Sequence, residues 1–160
     1  MISNMTIVKK SIMKFEPKEH LFGYNPDSQI LIWMKPSEFL DKVPKLSTKY
    51  WKHSSTRTIV NELKDKMEKR VPIDPLFLDI DTINCKVTNH EGRHRAVAAE
   101  EAGISRVPVI IYLMDNNKNR ISAKEYMKQA TTNEKQPTSL ADNIDRYNMR
   151  CNFFDAKKQE

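Results

Sequence analysis

Glycine is scarce in this chain, and the positions of the few glycines divide its central stretch into elements. The chain of 160 residues has three glycines, and two of them, Gly92 and Gly103, lie between Ile83 and Tyr112. The stretch INCKVTNHEGRHRAVAAEEAGISRVPVIIY places an alanine-rich run between two apolar runs. Glycine allows the sharp backbone turns at which helices begin and end. We therefore predict a strand, a glycine turn, a helix, a second turn and a strand, in that order.

Basic residues gather where this predicted helix begins. Arg93, His94 and Arg95 follow Gly92 directly. A helix N-terminus carries partial positive charge and N–H groups without an intrahelical partner. Two guanidinium groups added at that point favour an anion. We predict a phosphate-binding site here, with Gly92, Arg93, Arg95 and His90 as the ligand contacts.

Glu91 and His94 are the candidate catalytic residues of this site. Glu91 can accept a proton from a hydroxyl or water, hold a metal ion, or pair with an arginine. His94 or His90 can share the proton-transfer role. The structural alternative is a salt bridge from Glu91 to one of the two arginines, which would only cap the helix. We favour a functional site because four residues of functional type surround one of the three glycines.

The remaining elements follow from apolar periodicity and turn residues. Strands are predicted over 29–34, 75–80, 84–88 and 107–113, with helical segments over 37–41, 56–70, 93–102, 122–130 and 139–149. Residues 45–55 are predicted to form a polar connector, and Trp33 is predicted to be buried. Trp51 is interpreted as either core or an exposed contact, and Pro108 indicates an edge strand or a strand start. The fold class predicted from these elements is α+β.

The composition bounds the classes of partner and compartment. Lysine and arginine number 27 against 21 acidic residues, a net charge of +6, which permits a nucleic-acid partner. A lysine-rich solvated surface explains the same charge equally well. Cys85 and Cys151 lack a CxxC spacing, so we expect reduced thiols in a cytoplasmic protein. No apolar run approaches the roughly 18–20 residues of a membrane span, so no membrane association is expected.

Several common catalytic signatures are missing from the sequence. The chain contains no HExxH, GxSxG or GxxxxGK[ST] pattern. Zinc-dependent hydrolases, serine hydrolases and Walker-type NTPases are therefore disfavoured.

The run HEGRHRAVAAEEAGISRVPVIIY resembles the superfamily of ParB N-terminal domains and sulfiredoxins. In ParB-type members a strand leads into a GERR-like turn, a helix of the RAAxxAG type and a VPV strand. Glu91, Arg93 and Arg95-Ala96 match the acidic, arginine and arginine-alanine positions of that pattern. Ala102-Gly103 and Val107-Pro108-Val109 match the remainder. The resemblance extends over residues 29–135 and is closest over 87–112.

The resemblance implies a small sheet flanked by helices, with an arginine turn that binds nucleotide phosphates. The implied cofactor is a nucleoside triphosphate, ATP or CTP, with Mg²⁺. Sulfiredoxins have their catalytic cysteine at the position of Arg93, so sulfinic-acid reductase chemistry is excluded. ParB-type domains continue with an acidic-Asn-x-Gln-Arg segment. Asn133 fits the spacing of that segment better and Asn143 fits its residue types better; we take Asn133 as a further ligand contact.

Three functions remain open at this point. The first is a nucleotide-dependent hydrolase or phosphotransferase in a DNA-related process, as in stand-alone modules of this kind that are common in phage and plasmid genomes. The second is a DNA-binding protein or DNase that uses the same basic turn, and the third is a non-catalytic adaptor or assembly protein. A nucleotide is the expected partner, with DNA and a second copy of the chain as further candidates. The predicted division is an arm over 1–28, the ParB/sulfiredoxin-like domain over 29–135, and a C-terminal helix and tail over 136–160.

Overall fold

The computed structural model describes residues 14–18, 25–115 and 117–126. Its strands are β1 (Ile30–Met34), β2 (Leu76–Asp81), β3 (Lys86–Glu91) and β4 (Val107–Met114). Its helices are α1 (Pro36–Lys42), α2 (Thr48–Lys52), α3 (Ser54–Glu68) and α4 (Arg93–Glu101). A four-stranded mixed sheet with these helices confirms the predicted α+β class.

The first three helices begin at residues suited to a helix N-terminus. Pro36 is the first residue of α1, where a missing backbone N–H costs nothing. The Ser47 hydroxyl accepts the backbone N–H of Tyr50 at 3.1 Å and caps α2. The His53 ring accepts the backbone N–H of Ser55 at 3.2 Å and caps α3. The caps at Ser47 and His53 fix where α2 and α3 begin, and so hold the short segment between α1 and α3 in a helical conformation.

Contacts between Cα atoms divide the chain into two compact units. The first unit comprises residues 1–22, 34–76 and 92–108 and contains helices α1 to α4. Within it α4 packs against α1 and α3. The buried face of α4 consists of alanines, Ala96, Ala98 and Ala99, whose small side chains allow the helices to approach closely. The other fully buried side chains of the first unit include Met34, Phe39, Val60, Leu76 and Val107.

The second unit comprises residues 23–33, 77–91 and 109–160 and holds most of the sheet, whose strand order is β1-β4-β2-β3. β2 and β3 pair antiparallel, from Phe77 opposite Glu91 to Asp81 opposite Lys86, with an irregularity between Asp79 and Ile80. The Thr82 N–H donates to the Met114 carbonyl at 2.9 Å, so the C-terminal ends of the neighbouring strands β2 and β4 lie side by side.

Most of the predicted elements are confirmed. The strands expected over 29–34, 75–80 and 107–113, and the helices expected over 56–70 and 93–102, agree with the observed bounds within two residues. The predicted helical turn over 37–41 lies inside α1. Ser122, with Glu125 three residues later, is the N-cap expected for the helix over 122–130. Its hydroxyl accepts the Glu125 N–H at 3.1 Å, which confirms the cap, and residues 123–126 are helical.

Two predictions about local structure are wrong. The connector over 45–55 contains α2, because the Ser47 cap begins a helix there. The third strand begins at Lys86 rather than Asn84, and it continues to Glu91. Its start is delayed because the Asp81 carboxylate accepts the backbone N–H groups of Ile83 and Asn84 at 2.8 and 3.2 Å and holds a turn.

Two predictions about individual residues, Trp33 and Cys85, are also wrong, and a third, Pro108, is resolved between its two alternatives. Trp33 lies on β1 with 40% of its surface exposed, on the side opposite the buried Ile32 and Met34. Pro108 is the second residue of β4, which lies between β1 and β2, so the edge-strand alternative fails and the strand-start alternative holds. Cys85 is disulfide-bonded rather than reduced; the other cysteine, Cys151, lies outside the described residues.

Several predictions fall on parts of the chain that the structure does not describe. These are the helix over 139–149, the end of the helix over 122–130, the tail over 136–160, most of the arm over 1–28, and both Asn133 and Asn143.

Candidate functional site

Gly92 is the residue that allows α4 to begin where it does. Its φ is +123° and its ψ is 16°, a conformation that residues with a side chain rarely adopt. A Cβ at this position would lie 2.6 Å from Cγ of Leu76, well inside van der Waals contact. The Gly92 carbonyl accepts the Ala96 N–H at 2.8 Å and starts the helical hydrogen bonding. Glycine is therefore required at this turn on both conformational and steric grounds.

Arg93 extends from the first position of α4 towards the segment after α1. Its Nη1 donates to the Pro44 carbonyl at 2.7 Å. A guanidinium group has five N–H donors, so this bond leaves most of them available. Arg93 forms no ion pair with any residue that the structure describes. Its positive charge thus lies against a neutral acceptor.

Arg95 is directed to a different part of the backbone. Its Nη2 donates to the Pro75 carbonyl at 3.0 Å, in the residues just before β2. The same Nη2 lies 3.3 Å from the position that a Cβ on Gly92 would occupy, so the side chain folds back beneath the glycine turn. Arg93 and Arg95 are therefore held by two separate segments, and Arg95 ties the start of α4 to the chain before β2.

His94 packs in an aromatic cluster formed with two residues of α2. The Tyr50 hydroxyl lies 2.7 Å from Nε2 of His94. The Trp51 ring meets the imidazole in an edge-to-face arrangement, with 5.4 Å between centroids, and Tyr50 meets Trp51 in the same way at 5.1 Å. Burial, followed by the positive charges of Arg93 and Arg95, lowers the pKa of His94 below its usual value. These surroundings therefore favour the neutral form of the imidazole.

His90 and Glu91 are the last two residues of β3 and belong to the second unit. His90 is half-buried and pairs with Leu78, and Glu91 is exposed and pairs with Phe77. Glu91 forms no ion pair within the described parts of the chain. The alternative in which Glu91 caps the helix through a salt bridge is therefore not observed there.

A cleft of about 290 Å³ lies within the first unit, beside α4. Arg93 and Val97 contribute from one face of α4, and Trp51 contributes from α2. The apolar remainder of the lining includes Leu40, Val43 and Leu46. The cleft thus combines an apolar lining with a guanidinium group that has donors to spare, as ligand pockets commonly do.

The sequence interpretation missed the part of the site that comes from α2. Tyr50 was not singled out, and Trp51 was interpreted as core or as an exposed contact, whereas both contact His94. The available signal was Ser47, which stands three residues before Tyr50 in a helix-capping position. That signal predicts a short helix but does not show which element its aromatic residues will contact.

Two observations limit what can be added to the site. Among the described residues, no group of three or more histidine, cysteine, aspartate or glutamate side chains is placed to hold a metal ion. Asn133, predicted as a ligand contact, lies outside those residues.

In the same described ranges, no helix has the length and apolar character needed to cross a membrane.

The chain matches no protein-family model, no curated protein and no solved structure.

Proposed function

We propose that this protein binds a nucleoside phosphate beside the start of α4, with Arg93 contacting the phosphate and the cleft receiving the nucleoside. The observation that carries the proposal is the position of Arg93 in the wall of that cleft. The resemblance of the Glu91-to-Arg95 turn to the ParB and sulfiredoxin group supports a nucleotide as the source of the phosphate.

Arg93 suits a phosphate because its charge is not compensated by a carboxylate in the described structure. Its bond to the Pro44 carbonyl fixes the side chain while leaving further N–H donors for a ligand. A guanidinium group can give two parallel hydrogen bonds to one phosphate. The backbone N–H groups at the beginning of a helix add favourable dipoles for the same anion.

The size and lining of the cleft suit the nucleoside rather than the whole ligand. Its volume of about 290 Å³ is at the lower end of the range of roughly 300–1,000 Å³ for small-molecule pockets. A planar base fits against apolar side chains and the Trp51 ring, while phosphates extend past Arg93 into solvent. Glu100 lies on the same face of α4 as Arg93 and also lines the cleft. Its carboxylate can accept hydrogen bonds from an amino group or a ribose hydroxyl.

The activity that we propose for this site is nucleotide hydrolysis or phosphoryl transfer with ATP or CTP and Mg²⁺. Glu91 is the candidate base, since it stands two residues before Arg93 in the sequence and has no ion-pair partner among the described residues. Glu91→Gln keeps the shape of the side chain and removes the base. It should therefore abolish turnover while leaving nucleotide affinity largely intact.

Isothermal titration calorimetry with ATP and CTP, each with and without Mg²⁺, tests the binding. The wild-type chain should bind at least one nucleotide, and Arg93→Ala should weaken that binding by about 10–100-fold, the value of a charged hydrogen bond. Arg70→Ala is the matched control, because Arg70 is exposed at the end of α3 and does not line the cleft. Ribose 5-phosphate should bind more weakly than the nucleotide.

Two results would overturn the proposal. One is the absence of binding to every nucleotide at millimolar concentration. The other is an equal response of Arg93→Ala and Arg70→Ala, which would indicate a general effect of charge. The net charge of +6 makes DNA the competing partner. If the chain binds an oligonucleotide with an affinity that falls steeply with salt and binds no nucleotide, Arg93 contacts the phosphate backbone of DNA instead.

A further inference from the structure

The hydrogen bond between Tyr50 and His94 has a direction that follows from the chemistry of its two partners. The Tyr50 hydroxyl lies 2.7 Å from Nε2 of His94. A neutral imidazole can either accept or donate a hydrogen bond at Nε2. An imidazole nitrogen with a free lone pair is a stronger acceptor than a phenol oxygen, and a phenol hydroxyl is a stronger donor than a neutral imidazole N–H. The hydroxyl therefore donates, and Nε2 is the acceptor.

The charged form of His94 is disfavoured by its surroundings. An imidazolium has N–H groups on both nitrogens and could not accept the tyrosine proton. Arg93 and Arg95 flank His94 in α4, and the side facing α2 is covered by Tyr50 and Trp51. No described carboxylate forms an ion pair with His94. The ring is therefore neutral, with its one proton on the nitrogen that does not face Tyr50.

We propose that Tyr50 is a positioning residue that fixes His94 as the neutral tautomer with its proton on Nδ1, which makes His94 a hydrogen-bond donor to the bound phosphate. This changes the role predicted for His94. A general base needs a free lone pair, and the lone pair on Nε2 is already engaged by the tyrosine hydroxyl. The statement about the tautomer depends only on the structure, and the statement about the phosphate rests on the proposed function.

The Trp51 ring supports this arrangement from the side. Its edge-to-face contact with His94, at 64° between planes, restricts rotation of the imidazole about its bond to Cβ. Tyr50 and Trp51 are adjacent on a helix of five residues whose start is fixed by Ser47. The capped helix therefore delivers both rings to His94 together.

The tautomer is measured by NMR of the full chain labelled with ¹⁵N-histidine, without any ligand. Wild-type His94, assigned by its loss in His94→Gln, should show a protonated Nδ1 and an unprotonated Nε2 at pH 7.5. Tyr50→Phe removes only the hydroxyl and should shift the ring towards the Nε2-protonated tautomer. Tyr112→Phe is the control, since it removes a hydroxyl in the second unit and should leave the His94 signals unchanged.

A pair of substitutions tests the contact with phosphate. The amide nitrogen of asparagine can take the place of Nδ1, whereas that of glutamine is nearer to Nε2. Both variants should therefore bind the nucleotide more weakly than wild type, and His94→Gln should lose about tenfold more affinity than His94→Asn. Tyr50→Phe should also lower the affinity for the nucleotide, as His94→Gln does.

The outcomes separate the two halves of the proposal. A protonated Nε2 in wild type, or a tautomer unchanged by Tyr50→Phe, would overturn the role of Tyr50. A confirmed tautomer with equal affinities for His94→Asn and His94→Gln would overturn the phosphate contact alone. A confirmed tautomer in a chain that binds no nucleotide would overturn the proposed function and the donor role, while the positioning by Tyr50 would stand.

Discussion

The two ends of α4 use charged residues in opposite ways. At its C-terminal end, Arg57 of α3 donates two hydrogen bonds to the Glu101 carboxylate, at 2.9 and 2.7 Å, and Lys64 adds a contact at 3.3 Å. These contacts hold the pKa of Glu101 below its usual value, with the Arg57 hydrogen bond as the largest cause. At its start, Arg93 donates to the neutral carbonyl of Pro44 and forms no ion pair with any residue in the described ranges.

This difference separates an arginine used for packing from one that is available to a ligand. The fork of Arg57 is matched to a carboxylate and has its charge compensated within the unit. Arg93 is fixed in place by a carbonyl, its charge is not compensated by an ion pair in the described residues, and it lines a cleft. The start of α4 is thus the electropositive end that a phosphate would neutralise.

The glycines at the two ends give the largest expected difference in stability. Gly92→Ala adds a Cβ 2.6 Å from Leu76 in a backbone conformation that disfavours side chains. The clash and the strain together should lower the free energy of unfolding by about 3 kcal/mol or more. Gly103→Ala has a φ of +80° but open space around the new methyl group, so it should cost only about 1 kcal/mol.

Urea denaturation followed by circular dichroism compares the two variants. Both should show the same dependence on denaturant as wild type, with the larger shift of the midpoint for Gly92→Ala. An equal cost for the two substitutions would mean that Leu76 moves away freely, and that close packing does not require glycine at the turn that begins α4.

The arrangement of elements was largely predictable because it depends on local patterns. The apolar runs of β1, β2 and β4 and the glycines at the ends of α4 are visible in the sequence, and their positions were confirmed within two residues. The start of β3 was missed because the side chain of Asp81, rather than the hydrophobic pattern, holds the turn that precedes it. The exposure of Trp33 was missed because an apolar strand does not show in its sequence which of its two sides is covered.

The sequence predicted the site residues that lie close to Gly92 along the chain, but not the residues from other segments that contact them. Gly92, Arg93 and His94 were singled out from the residues around one glycine, and the structure places all three at the turn that begins α4. Their partners come from distant segments, Tyr50 and Pro44 among them. Contacts over more than forty residues follow from tertiary packing, which a single sequence does not display.

A smaller effect is expected from the ion pairs at the C-terminal end. Glu101→Gln removes the charge that Arg57 and Lys64 share, and it replaces one of the two acceptor oxygens of the Arg57 pair with an NH₂ donor. The side chains are about one-third exposed, so solvent screens much of the interaction. Tm should fall by a few degrees at low salt.

The salt dependence of this variant shows whether the contribution is electrostatic. In 1 M NaCl the difference in Tm between Glu101→Gln and wild type should largely disappear, because screening acts over about 3 Å there. A difference that persists in high salt would show that packing, rather than charge, ties α4 to α3. The affinity for nucleotide should not change, since Glu101 does not line the cleft.

The smallest effect is the pH dependence that His94 gives to stability. Its pKa in the folded chain lies below the ordinary value of 6.5, chiefly through burial. The unfolded chain therefore takes up a proton at this residue more readily than the folded chain does. The resulting stability is fully present above about pH 6.5 and is lost as the pH falls through the lowered pKa of the folded state.

The pH window of this effect separates His94 from the ion pair at the other end of the helix. The pKa of Glu101 is also lowered, but from 4.5, so its contribution is lost only below about pH 4.5. Between pH 5 and 7 the free energy of unfolding of wild type should decrease as the pH falls, and His94→Asn should show a flatter dependence. Glu101→Gln should keep the wild-type slope in this window. An equal slope in wild type and His94→Asn would mean that the imidazole is not held neutral at the start of α4, and the electropositive character assigned to that end would then include a third cation.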